Sequence, residues 1–348
     1  MIIFDFKWWI SWMNSLLLAL PLMYAVYHQT RDVISFVTAL GTCASCFQIM
    51  IKMVICKFMR QRMQFILDDM ERFVRDAEPL EKEIFLHYIK RCGILHISYL
   101  IFTLSSIIAM IITPMVSRIP FPTGAKYPFS VHTHPLFDII YIQQSAAALQ
   151  IVSMIAIDCQ IATMLWYIIS RLKMLEEATR AIFNAKEFHL CIRQHQHLLW
   201  MASEVTSIAR YILLTTVTMA TIALITCGIY IVGNQPIAMK IRIGIVITSY
   251  CVLVFVNAWP SEMMMRSCED IGTAIYESAW IESDFNKNIV LVVQRCRNPP
   301  VISVAGLLPI LSMNYYTKFL SKTFSFFTTL RIILAKIEAH NAPILDTK

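Results

Sequence analysis

Lys318, Lys322, Ser325, Thr329 and Ile332 follow one another at steps of four, three, four and three within NYYTKFLSKTFSFFTTLRIILAK, residues 314–336. At 3.6 residues per turn, those steps set all five on one nearly straight stripe of a helix. The segment is long and apolar enough to cross a bilayer, yet the stripe offers hydroxyls and ammonium groups that hydrocarbon cannot solvate. Such a face calls for water or polar protein opposite it, not lipid.

Other spacings suggest metal chemistry and fall short of it. CASC at 43–46 has the look of a thiol pair, but it lies in a hydrophobic run with no second pair nearby, which favours small packing residues. HTH at 132–134 and RQHQH at 193–197 offer imidazoles without the cysteine or carboxylate that would complete a shell. No phosphate loop, G-x-S-x-G elbow or H-E-x-x-H is present, so nothing points to an enzyme, a cofactor or a metal.

The elements that must position the stripe are set by composition. Of 348 residues, 57% are hydrophobic and 15% charged, with mean hydropathy +0.60; a soluble chain carries about 25% charged residues. Only 8 glycines, with abundant Ile, Leu and Met, favour helices over a barrel. The expectation is an all-α membrane protein with seven spans, at about 9–27, 33–56, 94–115, 139–169, 208–232, 241–262 and 313–335. The fourth exceeds the need and should run on into water. The apolar run at 301–312, with Gly306 and Pro309, reads as a re-entrant or connecting piece.

The net charge of +7 invites a nucleic-acid reading, but its distribution argues for topology. Most of the Lys and Arg fall at Lys7, in 57–93, in 170–210 and in 263–322, which places the N-terminus in the cytoplasm and the C-terminus outside. That polarity is opposite to a G-protein-coupled receptor. The outer loop VSRIPFPTGAKYPFSVHTHPLFD also lacks a cysteine, and NPP at 298–300 precedes the last span instead of lying inside it. Charges spaced among Phe58, Met59, Met63, Ile66, Met70 and Phe73 suggest that the second and fourth spans extend inward as helices and pack there.

The C-terminal third resembles the insect odorant receptor family. AIYESAW at 274–280 is similar to the family's Ala-x-Tyr-x-Ser-x-Trp signature. LVVQRCRNPPVISVAG at 291–306 resembles its Arg-x-x-x-Pro run, and SFFTTLRIIL at 325–334 its terminal Ser-Tyr-Phe-Thr-Leu-Leu-Arg motif. IMIKM in the second span, Asp158 in the fourth and CIRQHQHLL at 191–199 add to it. Phe326, Thr329 and AWPSE at 258–262 depart from the pattern, as does a short N-terminal lead, which suggests a truncated chain or a poorly formed first span.

The resemblance implies an odorant-tuned subunit of a ligand-gated, non-selective cation channel in olfactory neuron membranes. Four subunits would surround one pore, and a universal co-receptor would be the partner. Residues 1–262 would form helices one to six with a pocket in their outer half, 263–312 an inner anchor, and 313–348 the pore-lining helix and tail. Ser325, Thr329 and Ile332 would then face the pore, and Lys318 and Lys322 its cytoplasmic mouth. A small, volatile, hydrophobic ligand would meet Phe36, Leu40, Ile108, Met110, Tyr141, Gln144, Ala148, Met219, Ile245 and Ser249. Tyr276 and Trp280 would serve the subunit anchor. Two alternatives stand beside this one: a gustatory-type homotetramer and a solute transporter.

Overall fold

The structure, a computed structural model, describes residues 2–29, 33–116, 120–131, 133–182, 184–232, 237–278 and 286–341. Among them are eight helices: α1 (Ile2–His28), α2 (Val33–Asp76), α3 (Pro79–Val116), α4 (Leu136–Arg180), α5 (Ala185–Val232), α6 (Ile237–Glu277), α7 (Asn286–Cys296) and α8 (Met313–Asn341). Six of them, α1 to α6, are long and apolar enough to cross a membrane; α8 spans 29 residues and carries the polar stripe.

At 1.5 Å per residue, the 44 to 48 residues of α2, α4 and α5 give rods about 65–70 Å long, twice a bilayer's hydrocarbon core. The inward extensions expected for the second and fourth spans are therefore continuous helix. α3 and α5 begin with matching extensions, and α6 runs on to Glu277, past the boundary expected at 262. The 120–131 loop marks one end of the bundle, here the loop end; the extensions form the far end.

α4 is the hub, in contact with α1, α2, α3, α5 and α6. Met164, Leu165, Trp166, Tyr167, Ile168, Ile169 and Ser170 are consecutive and all buried, so here α4 has no outward face. The main core gathers around it from α2, α3, α5 and α6. Trp166 meets Trp259 edge-on at 4.9 Å between centroids. Charged groups stitch the surface of the far end: Lys173 Nζ reaches Asp270 Oδ2 at 2.5 Å and Glu176 Oε2 at 2.7 Å, and Arg180 reaches Glu277 at 3.2 Å.

The apolar run at 301–312 is a connecting piece. Gly306 takes φ +74°, which only glycine adopts cheaply, and turns the chain between Val304 and Leu308. Ile302, Leu308 and Leu311 sink into the core, and Ser261 Oγ donates to the Leu311 carbonyl at 2.7 Å. α1 is held to α4 by two glutamine amides of α4 that bond serine hydroxyls and backbone carbonyls of α1 within the apolar bundle. Gln150 Nε2 donates to the Ser11 carbonyl and hydroxyl, Ser15 Oγ to Gln150 Oε1, and Gln143 Nε2 to the Asn14 carbonyl. Cys43 and Cys46 lie buried with Leu18, Leu22 and Met50, as packing residues do.

Candidate functional site: two adjoining cavities and the last helix

Two adjoining cavities open between helices toward the loop end. One, about 480 Å³, lies among α3, α4 and α6 and is lined by Tyr99, Phe102, Thr103, Ser106, Met110, Ile155, Ile245, Ser249 and Leu253, among others. The other, about 330 Å³, draws Thr38, Thr42, Ser45 and Cys46 from α2, Ala147 and Ala148 from α4, Met219, Thr226 and Tyr230 from α5, and Val246 from α6. Met110, Ile151, Val246 and Tyr250 line both. These volumes suit small organic molecules, and the walls are apolar with scattered hydroxyls and no charged side chain. Several hydroxyls are already engaged: Thr38 with Tyr230, Thr42 with the Thr38 carbonyl, Ser45 with the Gly41 carbonyl.

Of the ten residues expected to touch ligand, Met110, Ala148, Met219, Ile245 and Ser249 line these cavities. The other five do not. Leu40 and Ile108 are exposed on the outside of the bundle, and Phe36 is half-buried away from both linings. Tyr141 donates its hydroxyl to the Ile111 carbonyl at 2.6 Å. Gln144 is buried, but its Oε1 accepts from the Thr123 amide and hydroxyl at 3.2 and 2.7 Å while Nε2 donates to Tyr127. It therefore pins the 120–131 loop, whose Thr123 lines the smaller cavity. Phe121 packs on Phe137 at 5.1 Å and closes the same end.

The pair that the sequence did not bring together lies beneath both cavities. Lys52 Nζ sits 2.8 and 2.7 Å from the two carboxylate oxygens of Asp158, both side chains essentially without solvent exposure, and Thr216 Oγ1 donates to Asp158 Oδ1 at 2.9 Å. α2, α4 and α5 are thus joined by one charged knot. A lysine in one apolar run and an aspartate in another were its visible signal, since two isolated opposite charges inside a bundle are driven together.

α8 divides cleanly into two halves. Tyr315, Tyr316, Phe319, Leu320, Thr323, Phe326, Phe327 and Leu330 turn inward, while Lys318, Lys322, Ser325, Thr329 and Ile332 all lie on the exposed half. Thr329 Oγ1 donates to the Ser325 carbonyl at 2.9 Å, so its proton is used within the helix and its lone pairs face outward. α5 stands between cavity and α8. Cys227 and Tyr230 line the smaller cavity, while Gly228 lies against Phe327 so closely that an added Cβ would come within 2.6 Å of the ring. Lys318 and Lys322 also border a groove of about 880 Å³ along α8 that includes Glu262.

At the far end, Tyr276 is exposed, and Trp280 lies outside the described residues. His195, from RQHQH, is buried with its Nε2 3.7 Å from Cys296 Sγ. Burial, and then the nearby Arg295 charge, lower its pKa to about 4, so it is neutral at physiological pH. Of HTH, His134 pairs with Asp138 at 2.8 Å, and His132 lies outside the described residues.

Comparison with known proteins places this arrangement. Odorant receptor Or2 of Anopheles gambiae is 25% identical over 150 residues, 42% of this chain and 39% of that protein, so the match spans well under half of that relative. The structure of the insect olfactory receptor OR5 from Machilis hrabei in complex with eugenol superposes with TM-score 0.79 at 13% identity, over 93% of this chain and 88% of that one. A second structure of that receptor gives TM-score 0.77 at 13% identity, over 92% and 87%. At such identity the likeness shows the fold: a multi-pass helical membrane protein. The family described as 7tm Odorant receptor matches residues 32–324, and the chain belongs to that family, with receptors and not enzymes.

Proposed function

We propose that this chain is an odorant-binding tuning subunit of a heteromeric, ligand-gated, non-selective cation channel, assembled with a co-receptor in the plasma membrane of olfactory neurons. The loop end faces outside and the far end the cytoplasm, in keeping with the Lys and Arg gathered in the far-end segments. The observation that carries the reading is the two-sided α8. Its aromatic half is spent on the subunit's own core, while Ser325, Thr329 and Ile332 share a half that the single chain leaves uncovered. Around a common axis, such helices would offer hydroxyl oxygens to a passing cation and an aliphatic ring able to close by dewetting.

The cavities are the ligand site of this reading. A neutral molecule that fills either gains mainly from apolar burial, at about 25 cal/mol per Å², and micromolar binding needs no ionic contact. Phe36, Leu40, Ile108, Tyr141 and Gln144 are left out of this contact set, and Met110, at the junction of the cavities, becomes its centre. Tyr276, exposed at the far end, belongs to the subunit anchor. The test is whole-cell recording with a panel of neutral volatiles that includes eugenol. Inward current from the chain with co-receptor, and little from either alone, is expected. Full current from this chain alone would favour the homotetramer instead, and saturable flux without gated conductance would favour a transporter.

A further inference from the structure

The Lys52–Asp158–Thr216 knot has a definite place relative to the cavities. Ile49, Met219 and Ile151 all line the smaller cavity. Lys52 follows Ile49 by one turn, Thr216 precedes Met219 by one turn, and Asp158 lies two turns beyond Ile151 on the same face of α4. Met154 and Ile155, one turn before Asp158 on α4, line the larger cavity, where Ile155 packs with Tyr99, Cys159 and Leu253. One ion pair therefore lies under both cavities and, with Thr216, ties together α2, α4 and α5, three of the helices that wall the smaller one.

Stability alone does not account for it. Replacing a buried ion pair by apolar groups of similar volume is often neutral or stabilising, because desolvation offsets the attraction, whereas removing one partner leaves a stranded charge. What such a pair supplies is register: it is satisfied in one helix arrangement and heavily penalised in others. We propose that Lys52 and Asp158, braced by Thr216, are a positioning pair that clamps the shared floor of the cavities and holds α2, α4 and α5 in the closed, non-conducting arrangement, against which a bound ligand works. This rests on the cavities being the ligand site, and the experiment separates the two.

Cys159, next to Asp158 and 5% exposed, reports on the floor without any current. In membranes holding the full chain and co-receptor, modification of Cys159 by N-ethylmaleimide is followed by peptide mass spectrometry, and ligand-free current is recorded per receptor at the cell surface. Lys52→Met is expected to raise Cys159 modification about tenfold and ligand-free current severalfold, while Lys52→Arg, which keeps the charge, stays within about twofold of wild type. Equal labelling of the Met and Arg variants, or no rise over wild type in Lys52→Met, overturns the proposal. Should Lys52→Met fail to reach the membrane, Thr216→Val removes one hydroxyl at constant shape. A rise of about twofold or more then supports the clamp, and wild-type labelling sinks it. Faster labelling with no odorant-evoked current in any combination leaves the floor clamp standing and sinks the channel reading.

Discussion

Gly228 and Phe327 set a tight tolerance between the cavity and the stripe-bearing helix. A methyl group at 228 would lie 2.6 and 2.7 Å from two ring carbons of Phe327, so α5 and α8 must part or the ring must rotate. Gly228→Ala is expected to cost about 1–3 kcal/mol of packing and to lower the ligand-evoked current. Phe327→Leu in the same chain should restore both, as read by surface labelling and recording. His195 gives a second test at this scale. Its folded pKa of about 4 lies below the ordinary 6.5, so between those values the unfolded chain binds a proton that the folded chain refuses. Stability is therefore full above about pH 6.5 and falls as the pH drops toward 4, by up to about 3 kcal/mol. Thermal unfolding of purified protein should show a Tm that declines through this window, and His195→Gln should flatten the decline.

Helices make the next scale, and α8 carries its sharpest expectation. Cysteines placed at 325, 329 and 332 should react with water-borne thiol reagents during stimulation, whereas cysteines at 319 and 326, on the inward half, should react at least about tenfold more slowly. Uniform reaction along the helix, or silence at 325 and 329, would remove the conducting role. This stripe was legible beforehand because helical periodicity is local: a 3.6-residue repeat needs no partner to be seen. Continuous α4 was legible too, from length alone. Which apolar residues face a cavity was not. Leu40 and Ile108 look like Met219 and Ile245 in a sequence, because hydrocarbon and a dry pocket select the same side chains. The Lys52–Asp158 pair stayed hidden for another reason. Its members lie 106 residues apart, and only the alignment of α2 with α4 brings them together.

Across the whole molecule, packing is uneven along the bundle's length. Around Met164–Ser170 the chain is closed on every side, and the main apolar cluster is assembled mostly there and from the far-end extensions. Toward the loop end the buried clusters are small and the space between helices holds two cavities. Long membrane-spanning helices, their far-end extensions and a polar-striped last helix could be anticipated. The separate α7, docked through Ile289 and Cys296, and the docking of the 301–311 turn through Ile302, Leu308 and Leu311 came only from tertiary contacts.

A chain built this way keeps its dense packing and its open cavities in different places. Exchanging one aliphatic or hydroxyl group for another along the hollow walls removes few contacts, so it costs little folding free energy while reshaping what fits. If the cavities are the ligand site proposed above, single substitutions near Met110 or Val246 would shift such a receptor from one volatile to another, with the tightly filled hub around α4 untouched.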